Sequence, residues 1–250
     1  MSFRARLKKK EILYGTILTL ASPEVAEILA DAGYDFLFID MEHTPIGLLD
    51  TQRVIQTTQN RCACLIRIPS IEQGFIKKAL DCGPDGIIAP LVKTAQDVEL
   101  LVQLCKYPPE GQRSFGLGRA QGYGLRFQEY ISQANDQIAL IALVEHIQAV
   151  NNIDQIIRVD GFDAVLLGPY DLSGSMGKPG KINDPDVQSA IHIVQSACAN
   201  ANIPLGVFGV SEDIVLPYLK SGYSLITVGA DTIYLGTAAS QTLKRLKGAA

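Results

Sequence analysis

Eight short apolar runs, each followed by a stretch with helical spacing, recur along the whole chain, and this alternation limits the fold more than any other feature. The runs are "ILYGTILTL" from Ile12, "DFLFID" from Asp35, "CACLIRI" from Cys62, "DGIIAPLV" from Asp85, "IALIALVE" from Ile138, "DAVLLG" from Asp163, "IPLGVFG" from Ile203 and "SLITVG" from Ser224. They show little polar alternation, as strands covered on both faces of a parallel sheet require. Between them, Ser22-Pro23-Glu24 reads as a capped helix start with proline in the first turn. The spacing predicts further helices over about 46–59, up to Asp81, and over 95–106, the last stopped by Pro108-Pro109. Eight such units in 250 residues match the size of a (β/α)8 barrel, read here as a single domain over residues 1–250. A doubly wound sheet is the alternative, since periodicity alone does not show that the sheet closes. One long interruption, Tyr107 to Gln128, carries "EGQRSFGLGRAQGYG", and long ordered loops are often functional.

Composition narrows the classes. At 47% hydrophobic and 19% charged, the chain can bury a large core, and a net charge of −4 leaves no electrostatic footprint for nucleic acid. The basic opening Arg4, Arg6, Lys8, Lys9, Lys10 is short and interrupted and reads as a solvated helix face. No apolar run reaches the roughly 18–20 residues of a membrane span, and no signal-like segment follows Met1, so no membrane partner and a cytoplasmic location are expected. The five cysteines are odd in number and lack C-x-x-C, which indicates reduced core thiols.

Polar residues gather where the runs end. The second ends in Asp40, Glu42 and His43, the third in Arg67, the fifth in Glu145-His146, and the sixth in Gly168-Pro169-Tyr170-Asp171. Barrel enzymes place their chemistry at these carboxyl ends. Glu145 alone could simply favour the start of the next helix, an effect of about 0.3–1 kcal/mol, and Asp171 could do the same. Strands five and six are neighbours in a barrel, however, so the two carboxylates should meet at one rim, where a divalent cation relieves their repulsion. Two acids with water suit Mg²⁺ or Mn²⁺, while zinc would want histidine or thiolate ligands. Arg67 needs an anionic partner, either Asp40 or an anionic substrate. Of the other histidines, His146 has a supporting or helix-face role and His192 a structural one. Lys93 is the one lysine close behind a strand, which ranks a Schiff-base mechanism below a metal-dependent one.

The segments "YDFLFIDMEHTP", "IRIPS", "ALDCGPDGIIAPLV", "YPPEGQRSFGLGRA", "LVEHIQAVNNIDQI" and "GFDAVLLGPYDLSGSMG" resemble the HpcH/HpaI aldolase family of metal-dependent class II pyruvate aldolases, over nearly the whole chain. The resemblance implies a (β/α)8 TIM barrel of the phosphoenolpyruvate/pyruvate superfamily, with its last helix exchanged between subunits of a homo-hexamer. It implies a divalent metal cation, Mg²⁺ or Mn²⁺ with Co²⁺ as a third candidate, held by Glu145 and Asp171. Arg67 matches the arginine on the pyruvate keto oxygen, His43 the catalytic histidine, Asp81 the aspartate paired with it, and Asp40 a supporting acid. Backbone amides at Tyr170 and Asp171 would hold the substrate carboxylate. Two positions depart from the family pattern: Leu143 stands where glutamine is common, and Tyr170 where alanine or asparagine is usual. Leu143 removes a polar group from the metal rim, with an expected effect on water positioning or substrate range, and the Tyr170 ring is expected to narrow the aldehyde side. The implied activity is reversible cleavage of 4-hydroxy-2-oxo acids to pyruvate and an aldehyde. A lyase or decarboxylase acting on another 2-oxo acid such as oxaloacetate, and a non-catalytic binding protein that keeps the pocket, are the alternatives. The 111–124 loop, with Arg113 and Arg119, is expected to cover the site, to reach a neighbouring subunit, or to serve as an interface.

Overall fold

The structure, a computed structural model, describes residues 1–249. Its strands are β1 (Leu13–Leu18), β2 (Phe36–Asp40), β3 (Ala63–Arg67), β4 (Gly86–Ala89), β5 (Ala139–Val144), β6 (Ala164–Leu167), β7 (Leu205–Gly209) and β8 (Leu225–Ala230). Each pairs in parallel with the next, and β1 pairs with β8 through Leu13 and Leu225, closing the barrel. Closure removes the doubly wound alternative. The helices are α1 (Phe3–Lys8), α2 (Pro23–Asp31), α3 (Leu48–Thr58), α4 (Gln73–Asp81), α5 (Ala95–Cys105) and α6 (Phe127–Gln137), followed by α7 (Ile147–Asn151), α8 (Ile153–Ile156), α9 (Pro169–Ser175), α10 (Pro185–Asn200), α11 (Glu212–Lys220) and α12 (Asp231–Gly248). Among the described residues, no helix is long and apolar enough to cross a membrane.

Side chains alternate along each strand, so one set fills the barrel and the other lies under the helices. Phe36, Phe38, Leu65, Ile88, Ile141, Leu143, Leu166 and Leu225 form the interior cluster. Leu37, Ile39, Cys64, Ile66, Ile87 and Leu140 belong to the outer layer, and all five cysteines are buried free thiols. The interior is crowded enough to demand glycine at Gly15, where a Cβ would lie 2.3 Å from the Phe36 ring.

Helix α1 departs from the sequence expectation. It closes the amino-terminal end of the barrel, with Phe3 and Leu7 in the interior cluster and the Phe3 and Phe36 rings 5.6 Å apart, edge to face. Its basic face is therefore not simply solvated. Arg4 is buried, with Nε donating to Asp163 at 2.8 Å and Nη1 to the Asn135 carbonyl at 2.6 Å. Removing one partner of such a buried pair costs about 3–5 kcal/mol.

The long interruption also sits at this end. Helix α5 runs back against β5, so the chain leaves it opposite the carboxyl rim. Arg113 stacks between Tyr107 and Tyr130, at 4.5 and 5.4 Å from their centroids, and donates to Asp81 at 3.0 Å. Arg119 donates to the Cys82 carbonyl at 2.9 Å and to Gln59 at 2.7 Å. The segment thus does not cover the rim of its own barrel, which corrects that expectation.

At the other end, α12 leaves the barrel. Asp231 is buried and accepts from the Thr19 and Leu20 amides, the Thr19 hydroxyl and the Thr232 amide, stitching the end of β8 to the end of β1. Beyond it the helix is exposed, including Leu235, Leu243 and Leu246.

Candidate active site

The inward alternation continues into the rim. Asp40 is the next inward position after Phe38, Arg67 after Leu65, and Glu145 after Leu143. Asp40 and Arg67 are also Cα partners in the β2–β3 register, so their side chains meet directly. Arg67 Nε donates to Asp40 Oδ1 at 2.9 Å and Nη2 to Oδ2 at 2.7 Å. Oδ1 accepts the Glu42 and His43 amides as well, at 3.0 and 3.2 Å. Burial pushes the Asp40 carboxyl up, but the Arg67 hydrogen bonds and charge, with the two amides, outweigh it and hold the group below its ordinary value. Of the two readings of Arg67, the pairing with Asp40 is the one present within the chain. Two nitrogens are fixed by Asp40, and Nη1 has no partner among the described residues.

Three more acids surround this pair. Glu145 is buried, and its Oε1 accepts the Leu91 amide at 2.8 Å. Burial pushes its carboxyl up to about 7, opposed by the Leu91 bond and Arg67 and assisted by the charges of Glu42 and Asp171. Glu42 Oε2 lies 3.2 Å from Arg67 Nε and 3.7 Å from His43 Nε2, yet is buried without a hydrogen bond. Burial, with Asp40 and Asp171, raises the Glu42 carboxyl against the pull of Arg67 and His43. Asp171 is exposed on the first turn of α9.

Local backbone aims these groups. Leu91 adopts φ +51°, a left-handed conformation that costs a branched residue about 1–2 kcal/mol, and its amide meets Glu145. At Gly168 a Cβ would stand 3.0 Å from Glu145 Cβ and 3.3 Å from its Oε2, so glycine keeps that side of the carboxylate open. Pro169 then starts α9, in which the Leu172 amide, bonded to Gly168 O at 3.0 Å, follows the unbonded first-turn positions.

Of the residues singled out from the sequence, Asp40, Arg67, Glu145 and Asp171 converge. His43 joins them at the mouth, its side chain 69% exposed and touching Glu42 alone among charged groups. Leu143 is buried one layer beneath Glu145, a floor to the site rather than part of its mouth. Tyr170 is exposed beside Asp171. Asp81 is not brought to His43 within the chain. It ends α4 at the amino-terminal face, where Arg113 and Gln121 both donate to its Oδ1 at 3.0 Å. Sequence reasoning passed over Glu42 as a site residue, although "DMEH" displays it, and the Leu91 amide, which carries no sequence signal.

Among the described residues, no three His, Cys, Asp or Glu side chains are gathered as a ready metal cage. The donor set nonetheless fits a hard divalent cation that keeps several waters. It offers two carboxylates that follow the adjacent strands β5 and β6, an orphaned buried oxygen on Glu42, and an open flank at Gly168.

Fold and rim together define a parallel (β/α)8 barrel with an acid cluster and one arginine at its carboxyl end. The chain belongs to the HpcH/HpaI aldolase/citrate lyase family, whose pattern matches residues 13–238. It is 36% identical over 244 residues to the 2-dehydro-3,6-dideoxy-6-sulfogluconate aldolase of Pseudomonas putida, covering 97% of this chain and 95% of that one. It is 34% identical to the 4-hydroxy-2-oxovalerate aldolase of Novosphingobium aromaticivorans, covering 98% and 94%. The crystal structure of an HpcH/HpaI aldolase/citrate lyase family protein from Burkholderia cenocepacia superposes with a TM-score of 0.94 at 35% identity, covering 98% of each chain.

Proposed function

We propose that the protein is a divalent-metal-dependent aldolase that reversibly cleaves 4-hydroxy-2-oxo acids into pyruvate and an aldehyde. The observation that carries this reading is the grouping, at one rim, of the Asp40–Arg67 pair with Glu145, Asp171 and a buried Glu42 oxygen that has no hydrogen bond. Glu145 and Asp171 are its metal ligands, and the aldolases among its relatives support the reaction class. A bound Mg²⁺ or Mn²⁺, or Co²⁺, supplies Lewis-acid polarisation of a 2-oxo group. Arg67, held in place by Asp40, presents Nη1 to the keto oxygen, where negative charge builds as the C3–C4 bond breaks. His43 takes the proton of the C4 hydroxyl, which becomes the aldehyde carbonyl. The bond electrons move into C2–C3, and protonation of C3 completes pyruvate. The Tyr170 and Asp171 amides hold the substrate carboxylate, and the Tyr170 ring with the Leu143 floor limits the aldehyde.

Asp81 serves as the partner of a histidine only across copies, since its own His43 lies at the far end of the barrel. Its Oδ2 carries no hydrogen bond among the described residues, which leaves it available to His43 of the partner subunit. A cytoplasmic homo-hexamer with α12 exchanged, built from a single domain spanning 1–250, completes the reading. The exposed leucines of α12 support that exchange.

Chelation with EDTA should abolish aldol cleavage, and Mg²⁺, Mn²⁺ or Co²⁺ should restore it. Chelator-insensitive turnover, or borohydride trapping of pyruvate on Lys93, would overturn the proposal. Because the family also includes citrate lyases, oxaloacetate decarboxylation is the second reading. A decarboxylation rate exceeding cleavage of every aldol substrate tried would favour it.

A further inference from the structure

The serines of "DLSGS" have no part in that chemistry, yet they are tied into it. Ser175 Oγ accepts the Ile147 amide at 2.9 Å and donates to the Leu172 carbonyl at 2.7 Å. Ile147 opens α7 just after Glu145, and Ser175 ends the helix that carries Asp171. Ahead of both acids, the Gly168 amide donates to the Val144 carbonyl at 3.0 Å. Segments 144–147 and 168–175 are therefore joined once before the two carboxylates and once behind them. Ser173 is fully buried and does not reach the β5 segment; it ties α9 to the loop that follows it. Its Oγ donates to the Tyr170 carbonyl at 2.6 Å and accepts the Gly180 amide at 3.0 Å.

We propose that Ser175 is a positioning residue that sets the spacing of Asp171 from Glu145 by bracing α9 against the start of α7. The inference rests on the metal-dependent reading above. Helix α9 has seven residues, too few to hold a fixed direction without tertiary support. The Ile147 amide lies in the first turn of its helix and so has no intrahelical acceptor. A single hydroxyl meets both needs. Without it, α9 is tethered to the β5 segment on one side only, and Asp171 can swing relative to Glu145. Ligand geometry depends on such supports, and losing one lowers metal affinity by roughly 10- to 100-fold.

The test is Mn²⁺ titration into metal-free protein, with free Mn²⁺ read by electron paramagnetic resonance and folding by circular dichroism. Ser175→Ala should bind about tenfold more weakly with its helical signal unchanged, and Ser175→Thr, which keeps the hydroxyl, should restore affinity. Ile147→Pro removes the same hydrogen bond from the donor side, at a helix start where proline is accepted. It should weaken binding similarly, and it keeps the question answerable if Ser175→Ala does not fold. The brace is overturned if both deletions bind like wild type, or if Ser175→Thr is as weak as Ser175→Ala. A wild type that binds no Mn²⁺ overturns the metal-dependent function itself, a result distinct from a wild type that binds and variants that match it.

Discussion

Glu145 shows how surroundings can raise one buried carboxyl, and under the proposed function that carboxyl is a metal ligand. Burial, Glu42 and Asp171 raise its carboxyl to about 7 despite the Leu91 amide and Arg67. The metal-free native state therefore keeps a proton that the unfolded chain would release near the ordinary glutamate value. Between those two limits the native form binds more protons, so this group's contribution to stability falls as pH rises. Cation binding must displace the proton. Mn²⁺ affinity is accordingly expected to drop as pH falls below about 7, with a proton released on binding. Calorimetric titration in two buffers of different ionisation enthalpy checks this, and Glu145→Gln should abolish the proton release. Asp40, equally inward, behaves oppositely because Arg67 outweighs its burial. Its contribution is present above the unfolded value and is lost as pH falls through the lower folded one.

Elements aim these residues, and their ends matter more than their middles. Gly168 separates β6 from α9, and a methyl group there would press on Glu145. Gly168→Ala should lower Mn²⁺ affinity about tenfold while costing about 1–3 kcal/mol of stability, measured by titration and chemical denaturation. All eight strands were legible from their apolar runs, and the rim positions of Asp40, Arg67 and Glu145 followed from strand ends. The arginine–carboxylate pair was legible only as one of two choices, because deciding it needed the β2–β3 register. Helix α1 misled for a related reason. Its basic residues look solvated until Phe3 and Leu7 pull the helix across the barrel end and carry Arg4 to Asp163.

For the whole molecule, the separation of its two faces governs what one chain can do alone. The rim holds His43, while Asp81 and the 107–126 segment sit at the opposite end. The sequence alone left the end occupied by the loop open and paired Asp81 with His43 only by resemblance. Within one chain the direction of α4 puts Asp81 near the start of β4, with Arg113 and Gln121 of the loop on it. Helix α12, with Leu235, Leu243 and Leu246 exposed, is the part that the proposed assembly assigns to contact with a second copy. Removing residues 233–250 should reduce the assembly mass in light scattering coupled to size exclusion, leaving the barrel signal in circular dichroism. An unchanged mass would exclude α12 from the assembly contact.

By itself, the sequence determined the alternation of strands and helices, the two-sided burial of those strands, and which of them end in charge. These are local properties, set by side-chain period and by turn residues such as Gly168-Pro169. Tertiary structure alone decided that the sheet closes, that Glu42 Oε2 is buried beside Arg67 without a hydrogen bond, that the strained Leu91 turn offers its amide to Glu145, and that Ser175 reaches Ile147. Each of these joins residues far apart in the chain, through register and packing that no local pattern encodes.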